Sequence, residues 1–108
     1  MTCMNLTAAQ HEAETLGNLV RGMGAEHFAS YMELNGGLWD EPQRTCIRAM
    51  HRFANVTTLD ELDEASAAWE RNSGRILGGD DALPELTMEL HVWADAMYEV
   101  ALCDCALN

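Results

Sequence analysis

Residues 83–102 read LPELTMELHVWADAMYEVAL. Leu83, Leu86, Leu90, Trp93, Met97 and Val100 recur there at unbroken steps of three and four. That spacing puts side chains on one face of a 3.6-residue helix. A half-buried strand needs alternation with period two, and no stretch of the chain sustains it for long. The segment therefore predicts a long helix from about Leu83 to Leu102, with an apolar stripe that other helices must cover.

Moving back toward the N-terminus, the same period recurs between start and stop signals. Thr7-Ala8-Ala9-Gln10 has the form of a capping box opening a first helix, with Ala9, Ala13, Leu16, Val20 and Met23 on one face. Gly22 and Gly24 end or bend it. A shorter helix over about Ala25 to Leu34 carries Phe28, Tyr31 and Met32, and Asn35-Gly36-Gly37 stops it. Asp40-Glu41-Pro42-Gln43 supplies a cap, a first-turn proline and a capping-box glutamine for a third helix. Its apolar face is Cys46, Ile47, Met50, Phe53 and Ala54. A fourth helix begins in Thr57-Thr58-Leu59-Asp60-Glu61-Leu62-Asp63-Glu64 and runs to about Asn72, with Leu62, Ser66 and Trp69 inward and Gly74 just beyond. These elements predict an all-α fold: a compact single-domain bundle of four to five helices with short loops, spanning residues 1–108. At 108 residues such a chain buries roughly two-thirds of its unfolded surface and needs no metal or disulfide to hold it.

Charge is the most unusual property. Eighteen acids stand against six arginines and no lysine, a net charge of −12. Residues 44–55 carry three arginines and no acid, whereas residues 56–108 carry twelve acids and two arginines. Such a field repels nucleic acid and anionic membrane and attracts basic protein surfaces. No apolar run approaches the ~18 residues that span a bilayer, and the N-terminus lacks the basic and apolar regions of a signal peptide. A cytoplasmic setting with reduced thiols follows as the expectation.

The fourth helix poses the functional question. Asp60 and Glu61 suit a first turn, where the helix dipole favours negative charge, and Thr58 with Glu61 completes a capping box. Capping leaves Asp63, Glu64 and Glu70 unexplained. At about 100° per residue Asp60, Glu61, Asp63, Glu64 and Glu70 lie opposite Leu62 and Trp69, interrupted only by Arg71. Carboxylates three or four positions apart sit about 5–6 Å apart at Cβ, a spacing on the scale of neighbouring phosphates. The alternative is an ordinary solvated helix face.

Asp80, Asp81, Glu85, Glu89, Asp95 and Glu99 extend the negative region over the C-terminal half. Among the last four, Met88 and Val92 fall off the core stripe as an apolar island ringed by acids, the pattern of an interface core and its rim. A central helix packing on both sides would bury the same two residues. Arg44, Arg48 and Arg52, at steps of four on the outward side of the third helix, form a basic stripe. In so acidic a chain it is expected to pair with acids on a neighbouring helix or on a second copy.

Constellations for catalysis are missing. Ser30, Ser66 and Ser73 sit in no G-x-S-x-G turn, Cys46 and His51 point in different directions along one helix, and Gly78-Gly79 lacks either phosphate-binding fingerprint. A di-iron bundle needs Glu-x-x-His, yet Ala8, Gly24, Arg48 and Met88 stand three residues before the four histidines. Cys103 and Cys105 with a distant histidine remain a zinc or redox alternative; in a regular helix their thiols point about 160° apart.

The expectation is a non-enzymatic module, without cofactor or metal, that binds a basic protein surface. The partner would be a nucleic-acid-binding protein or complex, and the apolar anchors Met88, Val92 or Trp39. Phage-encoded anti-CRISPR and anti-restriction inhibitors offer an analogy in size, charge and lack of chemistry, but no motif carries it. A helical homo-oligomer, for instance a homodimer, or complex subunit, acidic only for solubility, is the alternative.

Overall fold

The structure, a computed structural model, describes residues 4–79 and 85–107. Among them the chain forms five α-helices and no strand: α1 (Met4–Arg21), α2 (Ala25–Asn35), α3 (Glu41–Ala54), α4 (Leu59–Gly79) and α5 (Glu85–Leu107), with a 3-10 turn at Gly36–Leu38. The fold is the all-α bundle that the periodicity predicts. Asp80, Asp81, Leu83 and Cys3 lie outside the described residues.

α5 is the hub. It packs most extensively on α3, while α1 and α4 each contact both members of that pair. One buried cluster runs through all four helices, from Ala13, Leu16 and Val20 through Ile47, Met50 and Phe53 to Leu62, Trp69, Leu90 and Met97. Burying each larger aliphatic or aromatic side chain contributes about 1.5–3 kcal/mol. The predicted inward faces of α1 and α3 are the observed ones, except that Ala54 is half-buried.

The stripe on α5 is corrected in detail. Its buried line is Thr87, Leu90, Ala94, Met97, Ala101 and Cys105, while Leu86 and Trp93 are half-buried and Val100 is 43% exposed. At about 100° per residue the centre of burial is rotated by roughly 60° from the predicted centre. Close approach to α1 and α3 selects small residues such as Ala94 and Ala101 at the contact, and pushes the bulkier side chains to its margins. A pattern weighted toward large apolar residues is therefore off-centre.

Gly17 permits the same close approach from α1. A Cβ added there would stand 3.1 Å from Met50 Cε and 3.3 Å from Trp93 Cε3. Both distances are tighter than ordinary van der Waals contact.

Helix ends follow local chemistry in part. Asp40 caps α3 by accepting from Gln43 N at 3.0 Å, and Gln43 Oε1 accepts from Asp40 N at 3.1 Å, the predicted capping box. Three boundaries differ. α1 starts at Met4, so Thr7 lies inside it, α4 continues through Gly74 to Gly79, and α5 continues beyond Leu102 to Leu107. A glycine or a capping pattern permits a helix end without enforcing one. α2 is the least anchored element. None of its residues is fully buried, and Phe28 holds it by stacking on His51 with ring centroids 3.9 Å apart. His51 Nε2 donates to the Met23 carbonyl at 3.0 Å, since a carbonyl only accepts.

Candidate protein-binding surface

The start of α4 answers for part of its acidity. Glu61 Oε1 accepts from Thr57 N (3.0 Å), Thr57 Oγ1 (2.8 Å) and Thr58 N (3.2 Å), while Thr58 Oγ1 accepts from Glu61 N at 3.1 Å. These donors, the Thr57 backbone N–H foremost, hold the Glu61 carboxyl below the usual carboxylate range. Glu61 is thus a capping residue first and a binding candidate second.

Asp60, Asp63, Glu64 and Glu70 have no such employment. All four are exposed, on the arc opposite buried Leu62, Ala65 and Trp69. Among the described residues no arginine approaches them within ion-pair distance; the arginine salt bridges there are Glu41 with Arg44 and Glu41 with Arg48. The inward face also includes Ala65, while Ser66 is only half-buried; an alanine is too small to register strongly in a hydrophobic pattern.

On α5, Glu85 and Glu99 are exposed and Glu89 is half-buried. Asp95 has a structural duty. Its Oδ1 accepts from Trp69 Nε1 at 2.9 Å and its Oδ2 lies 3.3 Å from His91 Nδ1, tying α4 to α5, with the Trp69 and His91 rings 4.8 Å apart. Met88 and Val92 are 46% and 57% exposed. α5 is central, yet its packing on α1, α3 and α4 leaves these two residues open, so the reading in which both sides of the helix are covered does not hold for them. Trp39, by contrast, is buried against Tyr31 and offers no anchor to a partner.

The basic stripe divides into different roles. Arg44 is half-buried and binds its own chain: it donates to the carbonyls of Gly36 (2.9 Å) and Trp39, and pairs with Glu41 at 2.9 Å. Arg48 lies 3.8 Å from the same Glu41. For Arg44 and Arg48 the acid described beside them is thus on α3 itself, because a first-turn glutamate reaches arginines one and two turns on. Arg52 has no ion pair among the described residues and lines, with Arg48, Phe53 and Trp69, a groove of about 260 Å³ between α3 and α4.

Cys46 is buried, and burial first, then Asp95 and Asp40, push its thiol up to about 12. Cys103 is exposed and Cys105 buried, on opposite sides of α5. No group of three potential metal ligands occurs among the described residues, and none of the described helices is long and apolar enough to cross a membrane. No protein-family model, curated protein or solved structure matches the chain.

Proposed function

We propose that this protein works without catalysing a reaction, by offering exposed carboxylates to a basic surface of another protein. The reading rests on one observation above all: Asp60, Asp63, Glu64 and Glu70 stand on an open helix face, and among the described residues no arginine lies within ion-pair distance of them. Fixed carboxylates one turn apart suit a surface that otherwise holds phosphates, so the partner class is a nucleic-acid-binding protein or complex. The finer form of the proposal is a phage-type inhibitor of the anti-CRISPR or anti-restriction kind, acting in the cytoplasm by covering that surface. Long-range attraction speeds encounter, and buried apolar contacts then set the lifetime of the complex.

The test is capture of a partner from the source cell or its natural host, repeated with Asp60, Asp63 and Glu64 all changed to Lys. Capture should be lost with the triple variant, and the association rate of the unaltered protein should fall as salt rises past the range where the Debye length drops to about 8–10 Å. A complex indifferent to both changes would remove the electrostatic mechanism.

A second reading is self-association, favoured by Arg52, which is exposed and has no acid partner of its own among the described residues. Sedimentation at several concentrations separates it from the first. A concentration-independent monomer would end it.

A further inference from the structure

Burial on α5 is rotated from the predicted stripe, and the rotation exposes a feature larger than the Met88–Val92 pair. Met88, Val92 and Val100 are 46%, 57% and 43% exposed, and Ala96 between them is exposed as well. These four follow one another at steps of four, and so form one continuous ridge about 18 Å long. Glu85 and Glu89 lie along one side of it, Asp95 and Glu99 along the other. The inner side of α5 is already occupied by α1, α3 and α4.

We infer that this ridge is a docking site for a cationic amphipathic helix of a partner protein. Such a helix would carry small or aliphatic residues at steps of four, with Lys or Arg on both flanks. A row of side chains at steps of four is complementary to the groove between two such rows of another helix, which cross at about −50°. An apolar core with acids along both edges calls for the opposite charge on the incoming flanks. A second copy does not meet that demand. A symmetric contact sets the same patch against itself, which brings Glu85, Glu89 and Glu99 of both copies together in a chain of net charge −12. The inference rests on the proposed reading of a basic partner and adds the place and shape of its contact.

The experiment uses the whole chain and two synthetic helical peptides with the same leucine and alanine ridge, one flanked by Lys and Arg and the other by Glu. Binding is followed by fluorescence anisotropy. The cationic peptide should bind at least about tenfold more tightly than the acidic one, and Val92→Asn and Met88→Asn should each weaken it by about tenfold. Both sites are exposed, and unchanged circular dichroism and melting confirm that the variants fold. The triple Lys variant of α4 should alter peptide binding by less than about threefold, allowing for its long-range charge. Equal binding of the two peptides, no binding of the cationic one, or indifference to Val92→Asn would each overturn the inference. So would self-association of the protein abolished by Val92→Asn, which would give the ridge to a second copy. If the ridge fails in these ways while α4 charge reversal still abolishes capture of the native partner, the proposed function stands without it. Peptide binding intact alongside native capture that ignores α4 charge and salt is the reverse case.

Discussion

Glu61 and Cys46 show how differently two ionisable side chains can be employed in one small protein. Glu61 accepts from the Thr57 and Thr58 backbone and hydroxyl groups, which favour its charged form. Its folded-state pKa is lowered, so its contribution is present above the ordinary glutamate range and is lost as pH falls through the folded value. Glu61→Gln keeps an acceptor but not the charge. The stability gap between wild type and Glu61→Gln should therefore be open at pH 7 and shrink below about pH 4, as read from chemical melts across pH. Thr58→Ala removes a cap acceptor and should cost about 1 kcal/mol at neutral pH. Cys46 is the opposite case. A thiol pushed up to about 12 stays protonated at pH 8 and does not attack electrophiles. Iodoacetamide at pH 8 followed by peptide mapping should mark Cys103 in the native protein and Cys46 only after unfolding. Labelling of native Cys46 at a rate matching Cys103 would contradict the buried assignment.

Among the elements, α1 and α5 depend on small residues where helices approach closely. Gly17→Ala gains about 1 kcal/mol of helix propensity but inserts a methyl 3.1 Å from Met50 Cε and 3.3 Å from Trp93 Cε3. The end of Met50 can swing aside. The Trp93 ring is half-buried against the core and rigid where Met50 is flexible, and overpacking typically costs about 1–3 kcal/mol. The expected outcome is a net loss of about 1 kcal/mol in a denaturant melt; a net gain would mean that the contact between α1 and the α3–α5 pair has slack. Helical periodicity identifies all five helices and the inward faces of α1 and α3. It assigns Gly17 no role, because a glycine adds no side chain to a stripe, and it passes over Ala65, Ala94 and Ala101 for nearly the same reason. Trp39 is misjudged in the other direction: large and apolar, it looks like an anchor, yet the turn after α2 folds it inside.

For the whole molecule, charge opposes compaction. Eighteen acids face six arginines, and among the described residues the arginine ion pairs are those of Glu41 with Arg44 and with Arg48. Surface pairs of this kind contribute typically under about 1 kcal/mol each, while mutual repulsion of the remaining carboxylates acts across the whole surface. Added sodium chloride screens both. Repulsion dominates here, so Tm should rise between low salt and about 0.15 M, where the Debye length is about 8 Å. A Tm that falls over that range would show that attractive pairs outweigh the repulsion. The same screening should slow association with a basic partner, so stability and encounter rate are expected to respond to salt in opposite directions.

The chain's own pattern of apolar steps, caps and charges determined the fold class, the approximate place but not the ends of each helix, the capping of α3 and α4 and the acidic character of the α4 exterior. These are local or additive properties, legible because hydrogen-bonding partners three residues apart and faces at 3.6-residue spacing need no knowledge of the rest of the chain. Tertiary packing decided which side of α5 points outward, that Val100 and Ala96 join Met88 and Val92 there, that Asp95 is engaged by Trp69, and that Arg44 serves its own chain. Those outcomes depend on how closely three other helices approach α5. Pairs distant in sequence set that approach through volume and contact, and such information is absent from a one-dimensional period.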